Sequence, residues 1–340
     1  LGQSCVQGGR MSALDQVDRL EVQVIVDNVT DGLSSTLAFV EGEMSYLWRS
    51  RRIREMSGKG LASAAHGLSC ILTAWRGSDR RTVLFDAGPE DDVFERNVTR
   101  LGIDLAPVDA CVLSHGHWDH AGAFPRAFEM MRRLVAPRRI PLYMHPGMFR
   151  SRAQRHVDGT MRPMEDVPSV AALEVLGATV VSTREAAPVA GGAFWVSGEI
   201  PRVTAYEQGL PGQHRRTEDG SGWEPDPLLM DERFLAVHVA GRGLVVFSAC
   251  SHAGIVNVLT EARARFPGVP IFAAFGGLHL SGINERIIPD TVRDLAQFRL
   301  GLLGAGHCTG WRAMSKLYDA YGDGVLAPLS VGKRYVIGSA

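Results

Sequence analysis

The run Leu113-Ser114-His115-Gly116-His117-Trp118-Asp119-His120 places three imidazoles and a carboxylate within six residues, in a chain that has 11 His among 340 residues. The spacing has a chemical reason. Residues two apart leaving a strand project the same way, so His115 and His117 can hold one ion. Asp119 and His120 fall on the turn that follows, where they can reach a second ion or orient a bound water. Imidazole and carboxylate donors suit Zn²⁺, one ion or two, and Fe or Mn are accommodated when a carboxylate joins. The alternative is a surface His cluster, against which the tight spacing and the preceding apolar strand both argue.

Further ligands must come from elsewhere, and the chain offers them after other apolar runs. Cys250 and His252 follow Leu244–Phe247, His279 follows Ile271–Phe275, and His307 stands in Gly306-His307-Cys308-Thr309-Gly310. Each alone reads equally as a core or capping residue; as a set, beside Gly and small residues, they point to one site. Cys250 is either a thiolate ligand, which favours zinc, or a buried structural thiol. Asp86, before a Gly-Pro turn, is either an acceptor that orients a metal-bound His or a turn former. His66 opens a strand and could approach the site. His145, His156 and Asp158, in an Arg-rich stretch, could take an extra ion between subunits. Arg202, Trp223 and Lys333 are candidates for substrate contact or for ordinary packing.

These residues need strands and helices to position them. Glu21–Asp27 is β-branched and apolar. Leu68–Arg76 and Thr82–Asp86 form a hairpin pair around Gly77-Ser78-Asp79, and Phe234–Val239 and Leu244–Phe247 a second around Gly241-Arg242-Gly243. Ala110–Leu113, Pro141–Met144 and Pro270–Phe275 read as strands. Asp91–Gly102, Ile255–Phe266 and Asp290–Leu303 have helical periodicity. Strand pairs followed by strand–helix units, twice over, imply an α/β fold with two sheets inside and helices outside. Residues 1–20 read as an N-terminal extension or cloning remnant, with Met11 inside it. Residues 21–340 read as one domain with insertions near 45–60, 126–165 and 205–230. The polar stretch Glu207–Pro227 is expected to be a lid or an unstructured loop.

Composition narrows the function classes. Hydrophobic residues make up 45% and charged residues 21%, and 36 basic against 37 acidic residues leave a formal charge of −1. That profile is a globular core with no global field toward nucleic acid or anionic lipid. The five cysteines (Cys5, Cys70, Cys111, Cys250, Cys308) are too scattered for a disulfide framework. No apolar run approaches the roughly 18 residues of a membrane span. A cytoplasmic protein with a small-molecule substrate is the expectation.

The ordered set VDN, HGLS, LFDAG, LSHGHWDHAG, GEIPR, CSHAGIVN, GGLHL and HCTG, from about Val22 to about Ile337, resembles the metallo-β-lactamase superfamily. It is most similar to the subgroup named for dihydropterin-methyl-(ribofuranosyl)aminobenzene-phosphate synthase. The resemblance implies an αββα sandwich of two mixed sheets packed face to face, with the metal site at one edge. It implies that His115 and His117 bind a first metal, that Asp119 and His120 bind a second, and that His307 is the last histidine of the pattern. Two departures stand out. Glu199, in Gly198-Glu199-Ile200-Pro201-Arg202, replaces a Gly-His ligand motif, and Cys250 replaces a bridging Asp, with His252 two residues on.

The expected activity is hydrolysis by a zinc-bound hydroxide, with Asp119 orienting or deprotonating the water and His120, His252 or His279 protonating a leaving group. The substrate would be an ester, lactone, amide, phosphoester or aryl halide. The basic stretch at Arg49–Arg54 would favour an anion if it faces the cleft. One alternative is the subgroup's named reaction, joining a pterin to a ribosyl-aminobenzene phosphate with loss of pyrophosphate. Another is a non-catalytic metal-binding sensor. A homodimer is also expected, because the insertions exceed what a minimal sandwich needs.

Overall fold

The computed structural model describes residues 14–134 and 138–339. Two large sheets lie face to face. The first has eight strands, in the order Ala178–Ser182, Ile140–Met144, Val108–Val112, Asp79–Phe85, Ser69–Arg76, Arg19–Val26, Arg334–Gly338 and Val40–Glu41. The second has seven: Ala187–Val189, Phe194–Val196, Leu235–Val239, Gly243–Phe247, Ile271–Gly277 and Leu302–Gly306 in order, with Gln16–Val17 pairing beside Leu235–Val239.

The space between the sheets is filled by alternate residues of both. Val22, Leu72 and Phe85 meet Val237, Phe247 and Phe275 there, and the Phe247 and Phe275 rings stack at 5.2 Å. Along Arg19–Val26, Leu20, Val22 and Val24 enter this core. A register shift between Val24 and Val26 then turns Ile25 and Val26 toward the outer layer, a local re-aiming typical of a bulge. Helices Asp91–Leu101 and Phe124–Leu134 cover the outside of the first sheet through Phe94, Val98, Phe124 and Phe128. Helices Ile255–Arg265, Ile288–Leu295 and Trp311–Tyr321 cover the second through Val258, Leu259, Leu295 and Leu317. The layering is αββα, as the motifs imply, and both expected hairpins pair antiparallel.

Four local expectations are corrected. Leu14 packs in the core and Gln16–Val17 pairs with the second sheet, so residues 14–20 are part of the domain; the rest of the expected extension, residues 1–13, lies outside the described residues. The helix expected over Asp290–Leu303 stops at Leu295. Arg299 adopts φ 51°, and Leu302–Gly306 becomes a strand parallel to Ile271–Gly277. The stretch Glu207–Pro227 is not an unstructured loop. Gln213–Arg216 and Trp223–Pro225 pair as a hairpin, and Gln213–Arg216 also pairs with Arg152–Arg155, which pairs with Met161–Pro163. Two insertions distant in sequence thus build a third, four-stranded sheet. The basic stretch turns away from the cleft: Arg49 pairs with Glu41 and Arg52 donates to the Gly102 carbonyl.

Gly243–Phe247, Ile271–Gly277 and Leu302–Gly306 run parallel, as do Asp79–Phe85 and Val108–Val112 in the other sheet. Their carboxyl ends lead into the segments that carry Cys250, His279, His307, Asp86 and His115. Ligands in open α/β sheets bind beyond such strand ends.

A candidate metal centre

The strand Val108–Val112 delivers Leu113 and Ser114, and the chain then bends at His115–Gly116, where the His117 amide donates to the His115 carbonyl at 3.1 Å, before the short helix Trp118–Ala121. All four predicted donors of this run are buried. Around them the sheets bring His252, His307 and Cys250 from the other half of the chain. Two clusters result, each with its ligand atoms within 4.8 Å of one another: His115, His117 and His252, and Asp119, His120 and His307. Cys250 joins the sets on both sides, with His115 and His120, with His252 and His279, and with His307 and Cys308.

The hydrogen bonds behind these side chains aim their nitrogens inward. Asp86 is fully buried and accepts from the Ser114 amide and hydroxyl, both at 2.7 Å, and from His120 Nδ1 at 2.7 Å. Because the Ser114 hydroxyl donates to Asp86, its oxygen accepts from His115 Nδ1 at 2.9 Å. His307 Nδ1 donates to Asn28 Oδ1 at 3.0 Å. Each of these three rings therefore turns Nε2 into the site, the arrangement by which outer partners orient metal-binding imidazoles. Asp86 thus takes the orienting role rather than that of a simple turn former.

The inward nitrogens then face each other. His115 Nε2 lies 3.0 Å from His117 Nδ1, and His120 Nε2 lies 3.2 Å from His307 Nε2. His117 Nε2, His279 Nδ1 and both nitrogens of His252 are buried without a partner. Buried polar atoms are normally paired, and these four orphaned imidazole nitrogens, beside the two close nitrogen–nitrogen contacts, are donors that a bound cation would satisfy. The residues present fit a metal on these grounds.

Electrostatics agree. Burial, reinforced by neighbouring imidazoles, holds His115 and His252 well below the usual histidine range. Burial and Arg152 bring His117 down to about 3. His120 is also penalised by burial, but Asp119 and Asp86 carry it up to about 9, so without metal a proton fills the gap to His307. The Asp119 carboxyl is raised by burial, yet His120 and His307 pull it well below the carboxylate range. His115, His117, His252 and Asp119 are thus in the protonation states that metal binding requires, and His120 must give up its proton to bind.

Asp119 Oδ2 lies 3.4 Å from His307 Nε2 and 3.4 Å from His66 Nε2. The His66 ring accepts from Asn28 at Nδ1 and so turns an N–H toward Asp119. Gly67 is what allows this approach: a Cβ there would lie 2.3 Å from the Asp119 carbonyl. His279, with φ 45°, packs its ring against that of His252, tilted by 52° with the centroids 4.2 Å apart. His66, Asp119, Cys250, His252, His279 and His307 line one cavity of about 380 Å³, to whose wall Met164 and Leu210 from the two insertions also contribute.

Other predicted residues fall elsewhere. Glu199 accepts from His145 at 3.1 Å and from Arg184 at 2.9 Å and joins neither ligand cluster. His145 is satisfied by Glu199 and the Gly147 amide; His156 and Asp158 share no ligand group with it among the described residues. Arg202 donates to the Ile200 and Leu228 carbonyls, Arg216 lies over the Trp223 ring at 4.3 Å, and Lys333 donates to Pro328. Asn28, Ser114 and Cys308 were not singled out from sequence. Asn28 and Ser114 act only through contacts that the folded sheets create, and Cys308 carried no signal beyond its neighbour His307.

Residues 81–193 match the beta-lactamase superfamily domain. A 7,8-dihydropterin-6-methyl-4-(beta-D-ribofuranosyl)-aminobenzene-5'-phosphate synthase of Methanocaldococcus jannaschii is 28% identical over 267 residues, 75% of this chain and 85% of that protein. Among solved structures, the fold is similar to Tm1679, described as a metal-dependent hydrolase of the beta-lactamase superfamily. That similarity has a TM-score of 0.68 and 20% identity, covering 94% of this chain and 100% of the other. Unliganded yeast PDE1 is similar with a TM-score of 0.51 and 10% identity, covering 95% and 100%. The superfamily resemblance read from the motifs holds in the folded chain, which has the metallo-β-lactamase fold and carries the superfamily's domain match on residues 81–193.

Proposed function

We propose that this chain is a metal-dependent hydrolase of a small molecule, with His115, His117 and His252 holding one ion and Asp119, His120, His307 and Cys250 a second. The observation that carries the reading is the set of inward imidazole nitrogens, 3.0 and 3.2 Å apart in pairs, with His252 unpartnered at both nitrogens. Zinc suits the donors. When bound, it would polarise the scissile bond and acidify water, lowering that water's pKa to about 7. The protein's own groups do the rest. Asp119 Oδ2, steadied by His66 and His307, orients the attacking water, whose proton passes to solvent. His66, more than half exposed at the cavity mouth, and His279, with its free Nδ1, are placed to give a proton to the leaving group. His120, bound to Asp86 behind it, serves as ligand rather than acid. Met164 and Leu210 add apolar surface to the cavity wall.

The synthase relative supports a second reading, a transfer that releases pyrophosphate. Neither Arg nor Lys lines the cavity among the described residues, which favours hydrolysis. Metal content of protein purified without added metal tests the first reading, in wild type, His117→Ala and His252→Ala. Two equivalents of zinc in wild type, falling by about one in each variant, are expected. Wild type that stays metal-free after reconstitution would sink it. Assays on ester, lactone, phosphodiester and aryl halide panels, beside a pyrophosphate-release assay, separate the two activities.

A further inference from the structure

The metal site has a sulfur wall that the histidine pattern does not account for. Cys308 Sγ lies 3.4 Å from Cys250 Sγ, and both thiols are buried and line the 380 Å³ cavity with the histidines. Cys250 Sγ is itself 3.3 Å from His120 Nε2, and Cys250, Cys308 and His307 form one of the ligand-competent sets.

Cys308 reaches this position through two backbone features. Consecutive residues of an extended strand point to opposite sides, so His307 and Cys308 would diverge if Leu302–Gly306 simply continued. Instead His307 adopts φ 47° and opens a single 3₁₀ turn over His307–Thr309, which puts both side chains on the cavity. Space for the sulfur is left by Gly277, where a Cβ would lie 2.5 Å from Cys308 Sγ. A left-handed conformation at a non-glycine residue is costly and persists where its surroundings hold it; here the Asp27 carboxylate holds the His307 amide at 2.9 Å.

We propose that Cys308 is a metal ligand beside Cys250, so that the second ion of the proposed hydrolase is held by a pair of thiolates together with the Asp119, His120 and His307 donors. The chemistry follows. Soft thiolates select zinc or ferrous iron and discriminate against manganese and magnesium, which prefer oxygen. Two thiolates also donate more negative charge to the ion than one, which weakens its Lewis acidity. The second ion would then serve mainly to bind and orient, leaving water activation to the His115, His117 and His252 ion.

The inference rests on the metal-site reading, and cobalt separates the two. Metal-free protein is reconstituted with Co²⁺, and the sulfur-to-cobalt charge-transfer absorption in the near ultraviolet is recorded for wild type, Cys250→Ser, Cys308→Ser and the double variant. The expected result is a strong band in wild type, about half as intense in each single variant and absent in the double. A band unchanged in Cys308→Ser overturns Cys308 ligation and leaves the hydrolase reading intact; cobalt bound with no such band overturns ligation by both thiols and leaves a site held by histidines and Asp119. Failure to bind cobalt overturns both.

A second measurement needs no variant. Metal-free and zinc-loaded wild type are treated with N-ethylmaleimide and the cysteine peptides are read by mass spectrometry. Cys250 and Cys308 should be labelled at least tenfold more slowly in the zinc-loaded protein, while buried Cys70 and Cys111 change little. Equal labelling of Cys308 in both forms overturns the proposal.

Discussion

At the scale of single residues, the site depends on a carboxylate that touches no ligand position directly. Asp86 satisfies the Ser114 amide, the Ser114 hydroxyl and His120 Nδ1. Replacing it with Ala leaves buried donors unpaired and frees two rings to rotate. Asp86→Ala should lower zinc affinity by about 10- to 100-fold, measured by competition with a chromogenic chelator. The same rings give the metal-free chain a characteristic acid sensitivity. His117 has a folded value of about 3 against an ordinary 6.5, so between those limits the unfolded chain binds the extra proton. Stability from this group is therefore complete above pH 6.5 and is lost as pH falls toward 3. Melting temperature of chelator-treated protein should drop across that window, and the drop should be smaller in His117→Gln. What could be read in the sequence follows the same logic. His115, His117, Asp119 and His120 announce themselves because they crowd into one six-residue run after a strand. Asn28 and Ser114 do not, since their roles exist only once the strands are assembled.

Elements explain how far residues from opposite halves of the chain can be brought to a point. The strand ends that carry His252, His279 and His307 are legible as apolar runs closing on small residues, although Leu302 and Leu303, the first residues of Leu302–Gly306, are expected at the end of the helix Asp290–Leu303. Its LLGAG composition suits either element, and the left-handed Arg299 that separates them leaves no mark in periodicity. Gly67 shows how an element's path is set by what it must pass: its φ of 154° and the Asp119 carbonyl beside it exclude a side chain. Gly67→Ala should destabilise the fold by about 1–3 kcal/mol, read by urea denaturation. It should also weaken metal binding, because any relief must move Asp119.

For the whole molecule, the two sheets were foreseeable from paired strands and outer helices, whereas the third was not. Its strands are short and polar, without the alternation that marks a half-buried sheet, and they pair across some sixty positions of chain, as Ala153 with His214. Its anchor to the metal site is a buried ion pair. Arg152 meets Asp231 at 2.7 Å, and Asp231 accepts from the Gly116 amide inside the His run at 2.9 Å. Removing one partner strands a buried charge, so Arg152→Met should cost about 3–5 kcal/mol, measured by chemical denaturation, while Arg152→Met with Asp231→Asn recovers part of it.

That third sheet also bears on how such a protein can diversify. Met164 and Leu210, apolar residues of the cavity wall, sit on different insertions that are stitched into one fabric by the pairing of Arg152–Arg155 with Gln213–Arg216. Neither flap can be exchanged for a homologue's alone without leaving its neighbour with a bare strand edge, open to sticking to other chains. Grafted as a matched couple, they would carry a new wall, and with it a changed selectivity of the proposed hydrolase, onto an untouched histidine floor.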